Sequence, residues 1–251
     1  MKVLGFIPAR LESRRFPGKV IINIYEIPMI EHVRRRAILS GIFKEVFIVT
    51  NSNLIKKKIK NYKAKIISTS NKHFNGTSRV SEISKKFDFN YAFILFGDEP
   101  FISVKMLKHC LKEIKKDKKS LVFNVVTNLK SGDLNSLEVV KSVLDNKRNI
   151  IDYFRSFKKN IKNIKKSSGI LILKKKIIDN YKFLKIKQKE KNLSIEQFRF
   201  LENGISVKSI YCKNLYQSVN TRLELKKLLS LVGKDEKEMK LIKKLNKFDI
   251  R

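Results

Sequence analysis

Apolar and polar positions alternate along the chain in blocks that switch between two periods. Val3 to Ile7 is a short apolar run that enters a loop holding Pro8, Pro17 and Gly18, the pattern of a buried strand. From Met29 to Leu39 the apolar residues Met29, Ile30, Val33 and Ala37 recur at helical spacing. Ser40-Gly41 then stops the helix, and Val46 to Thr50 reads as the next strand. The same β-α alternation predicts a helix over Ser52 to Tyr62, a strand at Lys65 to Ser68, a helix from about Ser78 to Phe87 and a strand at Tyr91 to Phe96. Beyond Pro100 the pattern predicts a helix at Val104 to Lys115, then strands at Leu121 to Thr127, Val139 to Leu144 and Gly169 to Leu173. A helix at Ser194 to Glu202 capped by Asn203-Gly204, a strand at Val207 to Tyr211 and a helix at Arg222 to Val232 complete it. The tail from Lys234 to Arg251 is lysine-heavy and amphipathic, with Met239, Leu241, Ile242 and Leu245 for one face. Such alternation predicts an α/β fold, a mostly parallel central sheet with helices on both faces.

Composition narrows the class. A chain of 251 residues with 42% apolar content can bury one substantial core, and no internal repeat or Pro/Gly/Ser-rich linker divides it, so residues 1–251 are expected to form one domain. The apolar start is too short for a signal-peptide core and no later stretch approaches a membrane span, which predicts a cytoplasmic protein with no membrane partner. Cys110 and Cys212 are too few for a disulfide framework and read as buried fillers. His32, His73 and His109 do not complete a zinc-site spacing with them. His32 and His109 read as packed helix residues. The formal charge of +34 is spread over the whole chain among abundant Ile and Asn, without a nucleic-acid-binding motif, and is read as a solvated basic surface with no specific nucleic-acid partner.

Candidate chemistry begins in the loop after the first strand. Arg10 to Lys19 carries four cations and Gly18 in ten residues. Phosphate recognition needs backbone N–H groups that approach closely and cations that offset charge, which suits Gly18 with Arg10, Arg15 and Lys19. The spacing is neither that of a Walker loop nor that of a dinucleotide-binding fingerprint.

Five segments occur in order: Ile7 to Lys19 as I-P-A-R-L-x-S-x-R-x-P-G-K, Pro28 to Val33, His73 to Arg79, Gly97-Asp98-Glu99-Pro100 and Glu196 to Gly204. Together they resemble the 3-deoxy-manno-octulosonate cytidylyltransferases, or CMP-Kdo synthetases, from residue 3 to about residue 230. The resemblance implies a Rossmann-like nucleotidyltransferase architecture with a small sugar-binding lobe over about residues 130–215. The implied substrates are CTP and an acidic keto-sugar, the implied cofactor is Mg²⁺, and a homodimer is a further implication. By position, Ala9, Arg10, Ser13, Lys19, Gly76, Thr77 and Arg79 would meet the nucleotide, with His73 in the same loop. Arg15, Glu196 and Gln197 would meet the sugar. Arg10, Lys19 and Asp98 would be the catalytic group, with Asp98 on the metal; Thr77 could also cap the following helix.

The chain departs from the family at four site positions. Asn220 stands where the second metal-binding acid is expected, Phe96 in place of a glutamine, Ser78 in place of an acid and Ser167 in place of a histidine. Arg155-Ser156 exchanges two residues of a segment that helps build the dimer in relatives, and the stretch from Ser156 to Ser167 is short. The expected activity is therefore transfer of CMP from CTP to Kdo or a related 3-deoxy-ulosonic acid, with release of pyrophosphate, for lipopolysaccharide precursor synthesis. A nucleotidyltransferase for another acidic sugar, and a catalytically impaired nucleotide-binding or RNA-associated protein of the same fold, are the other readings.

Overall fold

A computed structural model describes residues 1–13, 15–156, 161–213 and 215–247. Arg14 of the basic loop, residues 157–160 of the short stretch before Ser167 and the last four residues of the tail lie outside these. The N-terminal half runs β1 (Val3–Pro8), a small hairpin of β2 (Asn23–Ile24) and β3 (Ile27–Pro28), α1 (Met29–Leu39), β4 (Glu45–Thr50), α2 (Asn53–Ile59), β5 (Lys65–Ser68), α3 (Gly76–Ser84), β6 (Tyr91–Ile94) and α4 (Val104–Lys116). There follow β7 (Val122–Thr127), β8 (Lys141–Leu144), β9 (Asn149–Phe154), β10 (Ile164–Lys174), α5 (Lys175–Asn180), α6 (Gln188–Leu193), α7 (Phe198–Leu201), β11 (Val207–Tyr211), α8 (Arg222–Gly233) and α9 (Glu236–Asn246).

Among the described residues, one nine-stranded sheet has the order β5-β4-β1-β6-β10-β7-β11-β9-β8. β5, β4, β1 and β6 are mutually parallel, and β7 is parallel to β11. β10 is antiparallel to β6 and β7, and β9 to β11 and β8. Seven of the nine strands therefore share one direction, opposed only by β10 and β9.

The strands are apolar on both faces because both are covered. Val3 and Ile7 of β1, with Phe93 of β6 and Ile172 of β10, pack under α1, α2 and α4. Leu4 and Phe6, with Ile94 and Leu171, pack under α3, α5 and α7. A third cluster joins Phe16, Ile24, Met29, Phe101 and Val219 to Leu228 and Val232 of α8 and Ile242 of α9. It is the support beneath the basic loop.

The structure changes several sequence-based expectations. β10 runs for eleven residues and breaks its register against β7 between Ser167 and Leu171. The helix expected over Ser194 to Glu202 is only Phe198–Leu201, because Ser194 is left-handed at φ 50° and the residues after it turn toward α3. β9, α5 and α6 were not foreseen. The amphipathic tail is α9, whose Ile242 and Leu245 are buried. His32 is packed as expected, but His109 is exposed on α4, with its ring 3.2 Å from the Tyr211 carbonyl oxygen. Both cysteines are buried free thiols. No described helix is long and apolar enough to cross a membrane.

Candidate active site

The basic loop is shaped by its own backbone. The Ala9 N–H donates to the Val49 carbonyl at 3.0 Å, carrying the chain one residue beyond β1, and Gly18 N–H closes the loop on the Leu11 carbonyl at 3.0 Å. Gly18 adopts φ 69°, a left-handed conformation that a Cβ disfavours, and a single 3₁₀ turn follows over Lys19–Ile21. Phe16 and Val20 are buried on either side, so Lys19 is held between two apolar anchors. Its ammonium donates to Asp98 Oδ2 at 2.6 Å, to the Val219 carbonyl at 2.8 Å and to Asn220 Oδ1 at 3.3 Å. The Val219 N–H donates in turn to the Asp98 carbonyl at 2.8 Å, tying the turn after β6 to the segment before α8. Residues remote in the chain thus surround one cation with three oxygens.

The start of α3 forms the adjoining wall. Asn75, rather than Thr77, is the cap: its Oδ1 accepts the Ser78 N–H at 2.8 Å while Ser78 Oγ accepts the Asn75 N–H at 3.3 Å. Ser78 therefore performs a capping task where the resemblance expected an acid. A Cβ on Gly76 would lie 2.8 Å from Phe96 Cε1 and 3.0 Å from Pro8 Cγ. We expect Gly76→Ala to destabilise the chain by about 1–3 kcal/mol, as overpacking does, and a second change, Phe96→Leu, to recover part of the loss. Thermal melts that show the two losses simply adding would reject this contact.

Thr77 lies inside the first turn, where its Oγ1 donates to Glu196 Oε1 at 3.0 Å and its N–H to Glu196 Oε2 at 3.4 Å. Behind it, Glu190 receives two bonds from Arg199, at 2.7 and 2.6 Å, and a third from Asn75 Nδ2 at 3.1 Å. The Arg199 guanidinium also lies 4.7 Å from the centre of the Tyr181 ring, whose hydroxyl accepts from Asn75 Nδ2 at 3.0 Å. Arg79 donates to Thr69 Oγ1 at 2.6 Å, and His73 is 2.5 Å from Glu82 Oε2. Desolvation lowers the Arg79 value, with Glu12 opposing that shift and Arg10 adding to it, which places Arg10 and Glu12 in the same electrostatic neighbourhood.

Desolvation pushes Glu196 up to about 7, against the bonds from Thr77. Since this lies above the ordinary 4.5, folding favours the protonated form: its contribution is complete below about pH 4.5 and lost as pH rises through 7. In the ligand-free protein the melting temperature should fall between about pH 4.5 and 7, and Glu196→Gln should reduce that fall. An unchanged pH profile in the variant would refute the assignment.

Desolvation and the neighbouring Asp98 likewise push Glu99 up to about 7. Glu99 Oε1 accepts the Gly169 N–H at 2.7 Å, and Phe96 lies against both Gly76 and Gly169. In the same bulge Ser167 Oγ is buried without a hydrogen-bond partner among the described residues. His32 is pushed down to about 4 by burial, and its Nε2–H donates to the Ile24 carbonyl at 2.8 Å.

Of the residues expected at the site, Lys19, Asp98 and Asn220 converge, as do Gly76, Thr77 and Glu196. Arg10 is exposed, Ser13 is half-buried and Gln197 is buried. Arg15 pairs with Glu138. The Val219 carbonyl, Glu99, Glu190 and Arg199 were not assigned roles from sequence. Glu99 lies inside the quoted Gly97-Asp98-Glu99-Pro100 turn and could have been found there, whereas Glu190 sits in a lysine-rich stretch with no pattern to mark it.

Among the described residues no cluster of three or more His, Cys, Asp or Glu could hold a metal ion. The oxygens around the Lys19 ammonium, one carboxylate and two neutral carbonyls, nonetheless match what a hard divalent cation takes, with other ligands left to substrate and water.

The family profile described as Cytidylyltransferase matches residues 4–210. The chain is 31% identical over 227 residues to the 3-deoxy-manno-octulosonate cytidylyltransferase of Thermodesulfovibrio yellowstonii, covering 83% of this chain and 89% of that one. It is 27% identical over 239 residues to the Escherichia coli protein of the same name, with 93% and 97% covered. A solved structure of CMP:2-keto-3-deoxy-manno-octonic acid synthetase complexed with CTP superposes with a TM-score of 0.86 at 27% identity, over 94% of this chain and all of that one. A 4-diphosphocytidyl-2C-methyl-D-erythritol synthase from Anaerococcus prevotii, at 15% identity and TM-score 0.62, shares the fold. With its profile match, its aligned relatives and its shared architecture, this chain belongs to the cytidylyltransferase family, in the branch of the 3-deoxy-manno-octulosonate cytidylyltransferases.

Proposed function

We propose that the chain transfers CMP from CTP to Kdo or a related 3-deoxy-ulosonic acid in the cytoplasm, for lipopolysaccharide precursor synthesis. The anomeric hydroxyl forms the new bond to the α-phosphorus, the bond to the β-phosphate breaks, and pyrophosphate leaves. The carrying observation is the convergence of Lys19, Asp98 and Asn220 beside the glycine loop. Lys19 and Arg10 offset phosphate charge, Ala9, Ser13, Gly76, Thr77 and Arg79 line the nucleotide side, and Arg15, Glu196 and Gln197 face the acceptor. Little covalent work falls to the protein, so positioning and charge neutralisation supply the rate. Asp98 and Asn220 would hold Mg²⁺, which supplies charge stabilisation on the phosphate oxygens when bound. The acceptor lobe covers about residues 130–215, and the working form is a homodimer.

The test is pyrophosphate release with each of the four nucleoside triphosphates against a panel of 3-deoxy-ulosonic acids. Release with CTP and Kdo is expected, and none with any pairing would sink the reading. The panel matters because Phe96 and the Ser167 hydroxyl, without a hydrogen-bond partner among the described residues, stand where the family offers an amide and an imidazole. Asn220→Asp adds a ligand charge, so it should lower the Mg²⁺ concentration for half-maximal rate. An unchanged Mg²⁺ dependence would remove Asn220 from the metal.

A further inference from the structure

We propose that the Lys19 ammonium is the nucleotide-free occupant of the oxygen cage made by Asp98, Val219 and Asn220, so that a divalent ion enters only once nucleotide phosphates draw Lys19 away. This rests on the reading of Asp98 as a divalent-ion ligand given above. An ammonium has three donors, and all three of its bonds here go to the cage, at 2.6, 2.8 and 3.3 Å. A Mg²⁺ ion sits about 2.1 Å from its oxygens, so an ion on Asp98 Oδ2 would share the ammonium's space. The two cations exclude each other.

Charge sharpens the exclusion. Asp98 contributes one negative charge, Lys19 cancels it, and Asn220 adds none, which leaves the cage neutral and without pull on a second cation. A triphosphate changes both terms: it offers Lys19 more anionic partners and leaves Asp98 unpaired. Lysine suits this exchange because its charge is a compact point on a flexible stem. Nucleotide and metal then bind with mutual reinforcement, each strengthening the other by the same factor. Lys19 thereby sets the order of binding as well as contacting phosphate.

The experiment is a Mn²⁺ titration of the full-length, nucleotide-free protein, following the electron paramagnetic resonance signal of the free ion. Native protein is expected to bind Mn²⁺ weakly. Lys19→Met and Lys19→Gln, each shown to be folded by circular dichroism, should bind one Mn²⁺ at least about tenfold more tightly, within the usual range of coupling between sites. Adding Asp98→Ala to Lys19→Met should abolish that gain. Equal affinity in native and Lys19 variants overturns the proposal, as does a gain that survives Asp98→Ala. Pyrophosphate release by the native enzyme with and without divalent ion is read separately. Metal-dependent release together with equal Mn²⁺ affinities discards the exclusion alone, whereas metal-independent release discards the metal reading with it.

Discussion

Replacing Asp98 with alanine is expected to cut the rate of pyrophosphate release from CTP and Kdo by about a thousandfold while the chain remains folded. Charge stabilisation at a metal-bound phosphate accounts for several kcal/mol of a barrier, and each 1.36 kcal/mol is roughly a factor of ten. The fold should survive because the Asp98 side chain lies at the cleft, where its bond is to Lys19. The main-chain link from the Val219 N–H to the Asp98 carbonyl is untouched by the substitution. Lys19 keeps the Val219 and Asn220 oxygens. Initial rates at saturating CTP, with circular dichroism as the control for folding, give the answer. A folded variant within tenfold of the native rate would exclude Asp98 from the reacting charges.

The second large effect is on stability. Glu190→Ala removes the partner of a guanidinium that is itself buried, with side-chain exposures of 4% for Arg199 and 1% for Glu190. Removing one member of such a pair leaves an uncompensated buried charge and costs about 3–5 kcal/mol, against a total stability of roughly 5–15 kcal/mol for a typical protein. For a chain of this size that corresponds to a fall in melting temperature of about 10 °C. The same change removes one of the bonds that hold Asn75, the cap of α3, so nucleotide affinity should weaken as well. The double variant Glu190→Leu/Arg199→Met, which strands no charge, should melt above the single variant. A single variant that melts within about 2 °C of the native protein would show that the pair is solvated after all.

The contrast between Asp98 and Glu190 shows what each level of description could supply. Asp98 lies in a short turn whose residue types and place after an apolar run mark it as a candidate from the sequence alone. The ends of α1, β5 and β11 were legible for a similar reason. Apolar periodicity and local stops such as Ser40-Gly41, with Gly41 at φ 67°, act over a few residues and are written in adjacent positions.

Glu190 carries no such mark. It is buried because Arg199 and Asn75 reach it from other elements, and a carboxylate among lysines looks like surface until those elements pack. The truncated helix around Glu196 has the same origin: Ile195 and Phe198 enter the core, and Glu196 is turned toward Thr77, 119 positions earlier in the chain. Phe96 and the two glycines it lies against, Gly76 at the start of α3 and Gly169 in β10, are far apart along the chain and meet only in the folded protein. Local order follows from side-chain periodicity and turn chemistry, so the β-α alternation, the glycine loop and the acidic turn were determined residue by residue. The cage around Lys19 joins positions 79 and 201 residues away from it. Only the closing of the sheet brings those oxygens within hydrogen-bonding distance, which is why the family's chemistry could be named from the residues while the partners of the Lys19 ammonium were decided by the tertiary structure.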